Sequence, residues 1–201
     1  MYKRQVFFLY NLTYLSSDLL GFLSQMTTLT MLLCPLLSMR LMCEERQKRT
    51  DQLLLTSPLS MGALVVGKFC AAACVMLLTI LLTNVYTLII AAYGTVYGGE
   101  WLVGYLGFSL QSLSFLALDL FVSCFAKNQL TGAVSSFGAN FLLWMADTLS
   151  GSLSVRWLSD ALDFLSLYER YKPFILGQLS YASVAFFVGF IAVCLVACLL
   201  Y

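Results

Sequence analysis

The sequence contains no histidine and has very few charged side chains. Lysine and arginine number 11 and aspartate and glutamate 10 among 201 residues, so the formal net charge is only +1. Without histidine, the chain lacks the commonest metal ligand and the usual general base. A net charge this small creates no field that would attract a nucleic acid. We therefore expect neither a histidine-based active site nor a nucleic-acid partner.

The shortage of charge also excludes an ordinary soluble domain. Charged residues make up 10% of the chain and hydrophobic residues 61%, whereas soluble domains carry about 25% charged residues. The mean hydropathy is +0.88. Apolar side chains can face outward without cost when lipid is the solvent. The sequence therefore predicts an all-α fold, a polytopic bundle of transmembrane helices in contact with membrane lipids.

Apolar runs long enough to cross a bilayer, at roughly 20 residues each, occur about five times. The predicted spans are residues 19–42, 61–93, 102–125, 130–149 and 174–201, and residues 174–180 of the last one could instead lie at the membrane interface. The first contains Pro35, which a membrane helix tolerates with a kink. Between the fourth and fifth spans, apolar residues recur at helical spacing at Val155, Leu158, Leu162 and Leu165. This spacing predicts an amphipathic helix that lies on the membrane surface.

Basic residues set the predicted orientation. Arg40, Arg46, Lys48 and Arg49 follow the first span, whereas residues 94–101 contain no basic residue. Positive charge stays on the cytosolic side of a membrane. We therefore predict that the connection 40–60 lies on the cytosolic side of the membrane. The loop 94–101 and the amphipathic helix are predicted to lie on the external side.

The chain divides into an external N-terminal segment, residues 1–18, and a transmembrane domain, residues 19–201. Residues 1–5 match the translation of an adapter used in sequencing libraries, so we interpret them as a processing scar. On this interpretation we expect that the chain is an N-terminal truncation and that an earlier membrane helix is missing from it.

The connection 40–60 is the most informative part of the sequence. A charged stretch, Arg40–Thr50, is followed by three leucines and then by Ser57-Pro58. Pro58 biases Ser57 away from helical geometry, and Ser57 or Ser60 can cap the helix that follows. The pattern predicts a cytoplasmic elbow with a short amphipathic helix, which is either solvated or docked on another protein.

The residues of this elbow resemble those of the permease subunit of type-2 ABC transporters. They are most similar to the branch of gliding-motility and nitrous-oxide-reductase-associated permeases. The matching residues are Met39, Arg40, Glu44, Glu45, Arg46, Thr50, Leu53, Leu54, Thr56, Ser57, Pro58, Ser60, Gly67, Lys68 and Phe69. A second match comprises Leu120, Phe121, Ser123, Asn128 and Gln129. The resemblance covers residues 19–201, which it identifies as an ABC-type-2 permease transmembrane domain.

The resemblance implies a permease of six membrane helices, of which this chain would hold helices two to six. It implies a dimer with a second permease copy or a homologue, and a cytosolic ABC ATPase subunit that binds ATP and Mg, so no cofactor is expected in this chain. It also implies the bacterial cytoplasmic membrane as the location. The elbow would be the coupling helix that contacts the ATPase, through Arg40, Glu44, Glu45, Arg46, Thr50, Ser57 and Pro58.

One stretch imitates a nucleotide-binding loop. Gly62 to Lys68 fits the spacing GxxxxGK, but Phe69 stands where a P-loop has the serine or threonine that binds magnesium. The stretch also opens a membrane helix instead of following a strand. We therefore expect a permease subunit that is not itself an enzyme, with no catalytic or metal-binding residues.

Two acids interrupt the apolar runs, Asp119 and Asp147. Acids inside a membrane span are candidates for function. Asp119 lies about two turns from Lys127, so it could instead reach water at the cytosolic end. Asp147 lies near the outer end of its span, where it could border the membrane surface. Both interpretations stay open for each acid.

Two functions of other classes are alternatives to transport. A membrane scaffold subunit could use the 40–60 connection to dock a cytosolic partner. A membrane enzyme acting on lipids would need a convergent set of histidine, aspartate and cysteine, or phosphate-binding glycines. The sequence shows neither of these sets, and its seven cysteines form no CxxC motif, so we interpret them as packing residues.

Overall fold

The computed structural model describes residues 19–48, 61–93, 98–126, 128–150 and 166–200. These ranges contain six helices and no strand, which confirms the predicted all-α fold. The helices are α1 (Leu19–Lys48), α2 (Met61–Tyr93), α3 (Gly98–Phe125), α4 (Gln129–Ser150), α5 (Leu167–Ile175) and α6 (Tyr181–Leu200). The predicted N-terminal segment 1–18 lies outside the described residues.

Within the residues that the structure describes, four helices are long and apolar enough to cross a membrane, which confirms a polytopic bundle. These spans are Phe22–Arg40, Gly62–Ile89, Gly98–Phe125 and Tyr181–Leu200. The remaining predicted span forms α4, whose 22 residues extend about 33 Å at 1.5 Å per residue. That length also suffices for a hydrocarbon core of about 30 Å. Polar residues such as Ser135, Ser136 and Asn140 lower its hydropathy, so α4 is not among the four.

Helix α1 continues beyond the predicted end of its span, from residue 42 to Lys48. The continuation, Cys43-Glu44-Glu45-Arg46-Gln47-Lys48, consists mostly of good helix formers and contains neither glycine nor proline. The charged stretch that begins at Arg40 is thus, as far as Lys48, the end of α1 itself.

The last span begins later than predicted. Residue 174, its predicted start, belongs to α5, and α6 begins only at Tyr181. Gly177 ends α5 with φ of 69°, a left-handed conformation that favours glycine. Its amide donates to the carbonyl of Phe174 at 3.1 Å. The apolar run across residues 174–176 thus contains a helix end.

Helix α5 lies at the end of the stretch that was predicted as an amphipathic surface helix. Residues 151–165 of that stretch lie outside the described residues. Ser166 caps α5, because its Oγ accepts from the amide of Glu169 at 3.1 Å. Leu167, Tyr171 and Phe174 are buried. Burial raises the pKa of Tyr171 to about 12, although a hydrogen bond with Thr27 of α1 opposes the shift. One face of this amphipathic helix therefore packs into the bundle.

Helix α3 is the centre of the bundle and contacts all five other helices. Of its most apolar stretch, 61% of the residues are buried, compared with 22% for α2 and for α6. It lies tightly against α5 at Gly107, since a Cβ added there would lie 2.4 Å from the Cβ of Phe174. Near the other end of α3, Sγ of Cys124 lies 2.8 Å from Sγ of Cys198 on α6.

Helices α2 and α3 are joined by two side-chain hydrogen bonds. Nε1 of Trp101 donates to Oδ1 of Asn84 at 3.0 Å. The hydroxyl oxygens of Thr87 and Tyr105 lie 2.8 Å apart. Trp101 was predicted to end an external loop, but α3 begins at Gly98 and includes it. Its side chain holds the N-terminal part of α3 against α2.

Candidate functional site

The predicted coupling residues lie at the charged end of α1 and in the connection after it. Arg40 is exposed. Glu44, Glu45 and Arg46 lie on α1, but their side chains are outside the described residues. Thr50, Ser57 and Pro58 are also outside the described residues. The structure thus brings four of the seven predicted residues onto one continuous helix, and the docking role stays a prediction.

Pro35 lies inside α1 and is buried. A proline in a helix has no amide hydrogen to donate, so the carbonyl four residues before it loses its usual donor. For Pro35 this is the carbonyl of Met31. The structure supplies a replacement from another helix, because Nδ2 of Asn140 on α4 lies 3.4 Å from that oxygen. Neighbouring side chains commonly satisfy groups freed by a membrane proline in this way.

A buried polar cluster lies where α1, α3 and α4 meet. We use this name for the side chains of Asp119, Ser123, Ser136 and Asn140 together with the Met31 carbonyl. All four side chains are fully buried, at 0% exposed. Nδ2 of Asn140 also donates to Oδ1 of Asp119 at 3.0 Å. Polar contacts of this kind hold membrane helices together.

The serines of the cluster make a second link between α3 and α4. Oγ of Ser136 donates to the backbone oxygen of Asp119 at 3.3 Å. Oγ of Ser123 lies 3.5 Å from Oγ of Ser136. The side chain and the backbone of Asp119 are therefore both held by α4. Asp119, the first of the two predicted acids, therefore lies in the interior of the bundle.

Some polar atoms in this region have no hydrogen-bond partner. Among the described residues, Oδ2 of Asp119, Oδ1 of Asn140 and Oε1 of Gln111 are buried without one. Nearby donors are directed elsewhere. The thiol of Cys34 donates to the carbonyl of Ser112 at 3.8 Å, and Oγ of Ser112 donates to the carbonyl of Phe108 at 2.7 Å. Buried acceptors without donors are costly and therefore call for a physical explanation.

Gln111, whose Oε1 lacks a partner within the described part of the chain, lines a small cleft between α1, α3, α4 and α5. The other lining residues are Thr27, Thr28, Met31, Phe115, Leu143, Trp144, Leu167 and Tyr168. The lining is mainly apolar, so the cleft offers an orienting acceptor but no charge.

The second predicted acid, Asp147, lies on α4, and its side chain is outside the described residues. It follows Asn140 by about two helical turns. The partner of Asp119 on α4 is thus Asn140, which the sequence did not single out. Among the described residues, no group of three or more cysteines, aspartates and glutamates is arranged to hold a metal ion.

Sequence reasoning missed Asn140 because a neutral amide in a membrane helix is not unusual. Two signals could have indicated it. Ser136 and Asn140 stand four residues apart and so share one face of α4. Pro35 also indicates that one carbonyl of α1 needs a hydrogen-bond donor from outside its own helix.

A comparison with known families identifies the family of this helical membrane chain. Residues 11–200 match the model of the ABC-2 family transporter protein family. The chain belongs to this family. No curated protein matches the chain, and no solved structure does. Membership confirms the resemblance to type-2 ABC permeases and identifies this ABC-2 chain as a multi-pass membrane protein of the transport class.

Proposed function

We propose that this ABC-2 family chain is the permease subunit of an ATP-driven transporter of the bacterial cytoplasmic membrane. It pairs with a second permease copy or a homologue and takes its energy from a separate cytosolic ABC ATPase, which binds ATP and Mg. We further propose that it belongs with the gliding-motility and nitrous-oxide-reductase-associated permeases, which its residues 39–69 resemble. Family membership supports the transport class.

The observation that carries this proposal is the continuity of α1. The helix has 30 residues, so it is about 45 Å long, whereas the hydrocarbon core of a bilayer is about 30 Å thick. Its apolar part is Phe22–Arg40. On this proposal, the end of the same helix, which contains Glu44, Glu45, Arg46 and Lys48, extends into water. A cytosolic protein bound there could move α1 as a lever, because the charged end and the membrane span belong to one helix.

The packing of α1 shows how such a lever would act on the bundle. Helix α1 packs along α3 more extensively than any other pair of helices in the described residues. Phe22 and Leu23 of α1 belong to the same buried cluster as Phe108 and Phe115 of α3. Because packed interfaces move as units, a displacement of the charged end would reach the centre of the bundle.

A photo-crosslinking residue at position 45 tests the docking. The full-length chain carrying p-benzoylphenylalanine in place of Glu45 is expressed in membranes of its native host, irradiated and analysed by mass spectrometry. We expect a crosslinked protein that contains a Walker A motif. The same substitution at Glu100, an exposed acid in the first turn of α3, is the control and should capture no such protein.

Charge reversal then tests whether the charges matter. Glu44→Lys and Arg46→Glu should each reduce co-purification of the ATPase by about tenfold, if one desolvated charge contact contributes about 1.4 kcal/mol. The matched variant Glu100→Lys should leave co-purification unchanged. ATPase capture that survived both reversals would contradict docking at this end of α1. A crosslinked partner without nucleotide-binding motifs would favour the scaffold function instead.

A further inference from the structure

The side-chain amide of Asn140 has two hydrogens and one acceptor oxygen, and the structure accounts for both hydrogens. One is directed to Oδ1 of Asp119 at 3.0 Å. The other is directed to the Met31 carbonyl at 3.4 Å. The remaining oxygen, Oδ1 of Asn140, is buried and lacks a partner among the described residues. The Asn140 amide therefore makes all its hydrogen bonds except one, because no donor in that part of the chain reaches Oδ1.

The carboxyl group of Asp119 also lacks one hydrogen-bond partner. Oδ1 accepts from Asn140, while Oδ2 is buried without a partner in the described part of the chain. The two groups therefore meet with one hydrogen bond formed and one acceptor left over on each side. A single hydrogen placed between the two leftover acceptors would satisfy both.

We propose that Asp119 and Asn140 form a proton-binding site that locks α3 to α4. The carboxyl group of Asp119 is held in its acid form, and the hydroxyl at Oδ2 donates to Oδ1 of Asn140. Together with the bond from Nδ2 to Oδ1 of Asp119, this closes a cyclic acid–amide pair with two parallel hydrogen bonds. The proton comes from water and forms the O–H bond of Asp119.

The surroundings favour a proton over a bound metal cation. A buried carboxylate needs a cationic partner or several donors, and within the described residues no ion pair involves Asp119. The titratable side chain that interacts electrostatically with it is Cys34 of α1, whose thiol donates to Ser112. The facing groups of α4, Ser136 and Asn140, are neutral. A sodium ion would need more oxygen ligands than the two leftover acceptors.

The site has a consequence for motion. A carboxyl group in water is ionised at neutral pH. If α3 and α4 separated far enough to admit water, Asp119 would lose the proton, and the acid–amide pair could not reform until the proton was regained. Separation of the two helices and release of the proton are therefore linked events.

Infrared difference spectroscopy on the purified full-length chain tests the proposal directly. The spectrum of the wild type minus that of Asp119→Asn at neutral pH should contain the carbonyl stretching band of a protonated carboxylic acid. In Asn140→Ala that band should shift to higher frequency, because the hydrogen bond to it is lost. Carboxylate bands in its place would overturn the proposal.

Thermal unfolding provides a second test that does not need the infrared band. Asp119→Asn keeps a neutral ring with two hydrogen bonds, so its melting temperature should stay close to that of the wild type. Asn140→Leu removes the ring and should lower the melting temperature by about 2–6 °C. The exchanged pair Asp119→Asn with Asn140→Asp should recover most of that loss.

If the site bound a metal cation instead of a proton, two measurements of stability would differ from these expectations. A cation site would make Asp119→Asn markedly less stable, and it would make wild-type stability rise when sodium chloride replaces choline chloride at constant ionic strength. We expect no sodium effect. Either of these two outcomes would overturn the proton-binding site.

Discussion

At the scale of single residues, Gly107 is the position where the structure most tightly limits the size of the side chain. Its missing side chain lets Phe174 of α5 lie directly against the backbone of α3, where an added Cβ would be 2.4 Å from both Cβ and Cγ of Phe174. Neither atom is the far end of a flexible side chain. Phe174 is fully buried and also packs near Phe187 of α6. A larger residue at position 107 must therefore displace α5.

We expect Gly107→Ala to destabilise the protein by about 1–3 kcal/mol, the usual cost of overpacking a tight interface. The matched control is Gly138→Ala on α4, because a Cβ there meets nothing within 4 Å. Without a clash, alanine should stabilise that helix by about 0.5–1 kcal/mol. Thermal unfolding in detergent measures both. Equal melting temperatures for the two variants would show that α5 does not pack on Gly107.

The candidate site was only partly predictable from single residues. Asp119 could be found because an acid within an apolar run is rare, and the structure gives it a specific partner. Asn140 could not be found in the same way, because it matters through the carbonyl that Pro35 leaves unpaired and through its distance to Asp119. Both depend on how three helices pack, which no local pattern encodes.

At the scale of elements, most spans were predictable, whereas the start of the last span was not. Helix α2 runs from Met61 to Tyr93 as predicted, because its apolar run stands between polar segments. The start of α6 was predicted too early, at residue 174. Phe174 is apolar because it packs on Gly107, not because it faces lipid, and hydropathy does not distinguish these two causes.

The junction of α2 and α3 gives a prediction at this scale. Trp101→Phe removes the indole donor to Asn84 and keeps an aromatic ring, so we expect a loss of about 0.6 kcal/mol, the mean for such bonds between membrane helices. Asn84→Ala should cost more, because it also removes the hydrogen bond from Nδ2 of Asn84 to the carbonyl of Ile80. The double variant should be no worse than Asn84→Ala alone, since the bond between the two side chains is already lost in that variant. Additive losses in a double-mutant cycle would mean that the bond is not formed.

At the scale of the whole molecule, the inside–outside orientation is still a prediction, and it concerns every helix. The charged end of α1 and the first turn of α3 lie on either side of one crossing by α2. Since α2 is apolar over Gly62–Ile89, the two regions must face opposite sides of the membrane. The basic cluster at residues 40–49 predicts that its own side is the cytosolic side.

A membrane-impermeant maleimide tests that orientation in intact cells. Glu100→Cys should be labelled from outside, whereas Glu45→Cys should be labelled only after the membrane is permeabilised. The wild type serves as the control for its own cysteines, of which Cys34, Cys124, Cys194 and Cys198 are buried. Labelling of Glu45→Cys in intact cells would reverse the orientation and would exclude a cytosolic ATPase at this end of α1.

The central position of α3 also bears on how the sequence can change over evolutionary time. Lipid accepts any apolar side chain, so the outward faces of α2 and α6 can exchange leucine, valine and phenylalanine with little consequence. A change on α3 meets five neighbouring helices and requires compensating changes in them. Homologues of this chain should therefore diverge fastest on the outward faces of α2 and α6 and more slowly on α3.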